Sequence, residues 1–256
     1  MEKETIADEK DGMFLKKLPA DFVMPRDGVE ERLLREYGSV FVAGGGVTAP
    51  GKVVFKDESE VFDFQSGLAS KVRKIGGYDM ELQAAAMGAL TEAVSEAAEK
   101  GLSISPRGAD SAKRGYAGTV ELWESRVEPA LEHWLAQGRI TQAEAESLRA
   151  LPPYEQVPEV FKLEAEGIFF AKDLSKSIIY SVAPPGASQH LAMLAFDAME
   201  HAEEGVRAIL ARHGWYQTVT SDLPHFTFLG VAEEKLGRLG LRSVEHGGRT
   251  FWVPDL

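Results

Sequence analysis

Apolar residues recur at helical spacing through two long stretches of the first half of the chain. In DMELQAAAMGALTEAVSEAAEKG, Leu82, Ala86, Leu90, Ala93, Val94 and Ala97 fall on one face, and Gly101 is a natural stop. In AGTVELWESRVEPALEHWLAQG, Val120, Trp123, Val127, Leu131 and Trp134 lie near helical spacing. Pro129 either kinks this helix or starts a second one. Shorter helices are expected over 27–37, with Asp27 as N-cap, over DESEVFDFQSGLASKV, and over the well-capped TQAEAESLRA. GSVFVAGGGVTAPGKVVF reads as two strands around a glycine-rich turn, and LSIS as a further strand. The three consecutive glycines read as a hairpin turn and not a phosphate cradle, because no Lys-Ser/Thr follows and no helix opens there.

The texture changes after residue 165. Short β-type runs follow one another: SIIYSVA, LAFD, WYQTVT, HFTFLGV and TFWVP. One helix, EHAEEGVRAILARHG, interrupts them, with Val206, Ile209 and Leu210 as its apolar stripe and Gly214 as its end. Helices first and strands later predict an α+β fold with an antiparallel sheet and helices packed around it. Residues 1–20 read as a polar, poorly ordered start. No repeat and no strong boundary divides the rest, so one domain over 1–256 is expected, its first hundred residues packed on a core from about 100 to 256.

Composition narrows the chemistry. The 256 residues carry a net charge of −12, which disfavours generic binding to phosphate backbones. The chain has no cysteine, which excludes disulfides, thiolate metal sites and cysteine nucleophiles. No apolar run is long enough to span a membrane. The start, MEKETIADEKDG, lacks the apolar centre of a signal peptide, so the expectation is a cytoplasmic chain or the mature part of an exported one.

Six histidines are candidates for chemistry. His133 reads as a packing or surface residue, His213 as a helix C-terminal cation and His246 as part of a glycine-rich hairpin. His201 could pair with Asp197 four residues earlier if both were helical. His190 follows a Pro-Pro-Gly turn and opens the apolar run ending in Asp197. His225 opens HFTFLGV just after Asp222-Leu223-Pro224. Two strand-edge histidines and an aspartate can hold Zn2+ and leave a fourth position for water. The spacing alone also suits a buried core histidine beside an ordinary strand.

The order of these residues resembles a known family. Pro185-Gly186-x-Ser188-x-His190 followed by Ala195-x-Asp197 is similar to the Ser-x-His-x-x-Gly-x-Ala-x-Asp signature of the zinc D-alanyl-D-alanine carboxypeptidases and D,D-dipeptidases, which include the vancomycin-resistance carboxypeptidases. Asp222-Leu223-Pro224-His225 resembles their second motif, Glu-x-Trp-His. Ser105-Pro106-Arg107-Gly108 looks like their Ser-x-Tyr-Arg-Ser segment. The likeness covers roughly residues 100 to 232. It implies His190, Asp197 and His225 as zinc ligands and Asp222 as general base. It also implies Arg107 at the scissile carbonyl and Ser188 at the substrate or behind the His190 loop. The implied substrate is a D-amino-acid-containing stem peptide of peptidoglycan, and the implied location periplasmic or extracellular.

Three departures qualify it. Met193 replaces the signature glycine, so a glycine-type backbone is not expected there. Pro106 and Gly108 flank the arginine, and Arg114 competes for its role. Asp222, one methylene short, replaces glutamate. A zinc-dependent protein that binds cell-wall peptide without cutting it is therefore the alternative, and an α+β domain without metal the plainest one. A D-alanyl-D-alanine carboxypeptidase is the expectation; the sequence itself does not separate carboxypeptidase from endopeptidase action, and the oligomeric state is left open.

Overall fold

A computed structural model describes residues 12–256; residues 1–11 of the expected polar start lie outside them. Just beyond, Phe14 is fully buried, so the expected loose start does not extend to it. Side-chain caps decide where several helices begin. Asp27 accepts from the amides of Val29 and Glu30 ahead of α1 (Gly28–Tyr37), and Asp57 from Glu60 ahead of α2 (Glu58–Ser66). The helix expected over 57–72 ends at Ser66, and a hairpin, β1 (Ser70–Ile75) and β2 (Tyr78–Gln83), takes up its last residues and the first residues of the next expected helix. Gly76 and Gly77 both take positive φ there, as a tight two-residue turn demands.

The helix α3 (Ala84–Glu99) therefore starts later than its apolar pattern suggests. It buries Ala86, Leu90, Ala93 and Ala97, while Leu82 is buried from β2. The next helix, α4 (Tyr116–Ala136), passes through Pro129 unbroken. Proline has no amide hydrogen for the carbonyl of Ser125, four residues back, and Arg126 Nη1 takes that oxygen at 3.4 Å. Thr141 and Glu144 form a capping box for α5 (Gln142–Arg149). A further helix, α6 (Pro153–Ala165), which the apolar pattern does not announce, opens on a proline. Gln156 on α6 accepts from the buried indole of Trp123 on α4 at 3.0 Å.

The sheets are small and antiparallel, as expected. β3 (Ala195–Asp197) and β4 (Trp215–Tyr216) flank β5 (His225–Phe228) in the order β3-β5-β4, with α7 (Glu204–Arg212) between β3 and β4 in the chain. A C-terminal hairpin, β6 (Leu241–His246) and β7 (Arg249–Pro254), docks through the Trp252 amide on the Gln217 carbonyl. Phe196, Trp215, Phe226 and Phe228 pack between the central sheet and the helices, in one apolar cluster running from Phe14 to Leu241.

Four expected strands are absent. Over 38–55 a 3-10 turn, Gly38–Val42, leads into extended chain. The glycines serve close backbone approach instead: the Gly44 amide donates to the Leu229 carbonyl, and a Cβ on Gly45 would lie 2.7 Å from the Gly230 oxygen. Over 177–183 a 3-10 turn, Ile178–Tyr180, replaces a strand, because the buried Glu164 carboxylate takes the Ile178 amide and the Ser177 hydroxyl. The LSIS segment forms no strand; the residue after it, Pro106, makes a single bridge to Ala198.

Candidate metal centre

The register of β3 against β5 sets Asp197 directly opposite His225. His190 does not open a strand; it sits in a 3-10 turn, Gln189–Ala192, that brings it onto the same spot. Two unusual backbone positions bracket that turn. Gly186, at φ +78°, presses on Phe55 so closely that a Cβ would fall 1.7 Å from the Phe55 oxygen. At the other end Met193 adopts φ 56° and ψ 33°. The expectation that Met193 keeps this backbone out of the glycine-type conformation is corrected. Its amide bonds to the His190 carbonyl, its carbonyl accepts from the Gln83 amide, and complete burial of the side chain offsets a strain on the order of 1–2 kcal/mol.

Three donor atoms converge. His190 Nε2 lies 3.3 Å and His225 Nδ1 3.1 Å from Asp197 Oδ1. The three residues can offer ligand atoms all within 4.8 Å of one another. Bonds of about 2.0–2.1 Å to one tetrahedral ion would place neighbouring donors about 3.3 Å apart, so the spacing fits.

The hydrogen-bond network identifies which nitrogens carry protons. His190 Nδ1 faces the carbonyl of Ala112 at 2.7 Å, which can only accept, so Nδ1 holds the hydrogen and Nε2 a lone pair. For His225 the proof passes through buried Gln189. The Gln189 amide nitrogen donates to the Tyr37 carbonyl at 2.8 Å, which fixes the orientation of the amide. Its oxygen must then accept from His225 Nε2 at 2.9 Å and from the Thr227 hydroxyl. His225 Nδ1 is thus the nitrogen left facing Asp197. With both rings neutral, two imidazole lone pairs and a carboxylate oxygen point at one another, an arrangement that a cation among them would relieve. Orienting bonds of this kind behind a ligand set are the usual support of a metal centre.

Electrostatics agrees. Burial, reinforced by the Arg114 charge and by His225, holds His190 below the usual imidazole value against the pull of Asp197. Burial would raise the Asp197 carboxyl, but His190 and then His225 outweigh it and keep it well below the usual carboxylate range. The group thus brings together two imidazoles and one carboxylate, a donor set able to bind a metal ion.

The centre opens on a cleft of about 240 Å³, and Arg107, Ser188 and Asp222 line it as well. Arg107 is exposed and donates its amide to the Asp197 carbonyl at 3.1 Å. Ser188 is buried directly before the turn. Asp222 is exposed, and its carbonyl accepts from the His225 amide at 3.1 Å. Arg114, the competitor of Arg107, lines the cleft beside His190; its Nε is buried with no acceptor among the described residues. His201 does not pair with Asp197 and accepts from Arg249 Nη1 at 3.0 Å instead. His133 packs edge-on against Trp134, His213 pairs with Glu96, and His246 packs near Phe251.

Residue patterns did not reveal Gln189, Tyr37, Thr227 or Arg126. Gln189 alone left a trace, as a polar residue beside the histidine in an otherwise apolar run. No family model, curated protein or solved structure matches the chain.

Proposed function

We propose that the chain is a zinc-dependent peptidase acting on D-amino-acid-containing stem peptides of peptidoglycan, most simply as a D-alanyl-D-alanine carboxypeptidase. The observation that carries this reading is the set of three converging donor residues opening on a cleft that also holds a carboxylate three residues before one of them. The resemblance to the zinc carboxypeptidases supplies the substrate class and, with it, a periplasmic or extracellular place of work.

His190, Asp197 and His225 would hold the ion. A zinc ion there supplies Lewis acidity, making water nucleophilic near neutral pH and polarising a carbonyl. Asp222 takes the proton from the attacking water and returns it to the leaving amine. Arg107 grips the scissile carbonyl oxygen as negative charge develops on it. Ser188 holds the peptide or the His190 turn. The Ser221–Pro224 loop is restrained where the base sits: the Leu223 carbonyl accepts from Gln217 Nε2 and from Arg249 Nη1. This restraint gives the shorter carboxylate a fixed reach.

The test is zinc-loaded protein incubated with a muropeptide pentapeptide, followed by assay for free D-alanine. Asp222→Asn should keep the metal and lose about 10²–10⁴-fold in rate. Asp222→Glu should also lower the rate, because the loop is set for aspartate. A wild type inactive on every D-alanyl peptide, with turnover only in Asp222→Glu, would instead establish a zinc-dependent binding protein with a decayed base.

A further inference from the structure

In a chain of net charge −12, the cleft beside the candidate metal centre is lined by three guanidinium groups, Arg107, Arg114 and Arg126, against two carboxylates, Asp197 and Asp222. Arg114 and Arg107 belong to the side that carries the donors: each donates its amide to a carbonyl of a donor residue, that of His190 or Asp197. Arg126 lines the same cleft without any bond to a donor residue. It projects from α4 and bonds the segment that follows the Ile178–Tyr180 turn.

Arg126 is held on two edges. Its Nε donates to Ser181 Oγ at 2.8 Å, and its Nη1 to Ser125 Oγ at 2.8 Å and to the Ser125 carbonyl left free by Pro129. Its Nη2 has no acceptor, and the whole group has no carboxylate partner, among the described residues. A long, flexible side chain has thus been ordered in advance at the cleft wall, with one set of N–H donors and a full charge unspent. Hydroxyl partners orient a guanidinium without neutralising it. A carboxylate partner would have cancelled the charge.

We propose that Arg126 anchors the free carboxylate of a peptide bound in the cleft onto which the metal centre opens. The peptide's identity rests on the peptidase reading of the same cleft, and the inference deepens it: a carboxylate anchor favours removal of a terminal residue over cleavage inside a chain. Arg107, exposed and without a hydrogen-bonding or ionic side-chain partner among the described residues, remains for the carbonyl.

Calorimetry on the full, zinc-loaded Asp222→Asn protein, with an acylated L-lysyl-D-alanyl-D-alanine and its C-terminal amide as probes, tests this. The acid should bind on the order of 10–100-fold more tightly than the amide, the scale of a hydrogen bond to a charged group. Adding Arg126→Ala should remove that preference and leave amide affinity within about threefold, with the zinc content unchanged as a check on folding. Arg126→Lys should restore part of the preference. Equal affinity for acid and amide, equal loss of both in the variant, or no binding of either peptide overturns the anchor. Preserved acid preference without D-alanine release from the wild type would sustain the anchor and defeat the peptidase reading. Efficient wild-type turnover of acid and amide alike would do the reverse.

Discussion

The decisive residue of the centre is one that ligates nothing. Gln189 reads the Tyr37 carbonyl with one end of its amide and dictates the His225 tautomer with the other. Gln189→Leu should therefore weaken zinc binding by roughly 10–100-fold while leaving all three ligands in place, as competition with a chromophoric chelator will measure. His225→Ala should lose most of the metal, whereas His133→Ala and His246→Ala should retain about one ion per chain by elemental analysis. Proton linkage is a third handle. Buried His190 binds a proton less readily than the unfolded chain's histidine does. The unfolded state therefore takes up the extra proton as pH falls below about 6.5, and acid favours unfolding. The melting temperature of metal-free protein should drop from pH 7.5 to 5.5, and His190→Ala should flatten that slope. The candidate donor set was legible in the sequence because His190, Asp197 and His225 keep a recognisable order. The tautomer lock was not, since Tyr37 lies 152 residues from Gln189 and no local pattern announces so distant a bond.

Elements were legible where local chemistry decides them. Asp27, Thr141 and Gly101 mark helix ends through caps and a left-handed stop, and the structure uses them so. Reading failed where a tertiary partner overrides the pattern. Residues 177–183 have the β-branched and aromatic look of a strand, yet Glu164 takes the amide that a ladder would need. The Ser70–Gln83 hairpin was masked because its second strand merges with the apolar stripe of α3. Two glycine substitutions separate local from tertiary control. Gly88 lies within α3 with open space around its missing Cβ, so Gly88→Ala should stabilise by about 0.5–1 kcal/mol in urea titration. Gly186→Ala has no such room against Phe55 and requires a left-handed backbone. It should destabilise the fold and, by shifting the His190 turn, release metal as well.

At the scale of the molecule the donors come from a turn and two short strands, while the helices contribute none. Chelation should lower the melting temperature, since bound metal at about 100-fold above its dissociation constant adds about 2.7 kcal/mol. The far-UV circular dichroism should nevertheless stay close to that of the loaded protein, because the apolar cluster from Phe14 to Leu241 does not depend on the ion. Fold class was legible from the switch in periodicity along the chain. The part played by the first hundred residues was not, and Tyr37 supplies it. At the end of α1 its carbonyl holds Gln189 beside the metal centre, while its hydroxyl donates to the carbonyl of Ile179, in a second lining segment, at 2.9 Å. One residue thus works as a caliper whose two jaws set how far apart the two segments stand. The aperture, and with it the girth of whatever enters, is gauged by a helix that supplies no chemistry. Directed evolution toward bulkier guests would do well to begin there, leaving the donors untouched.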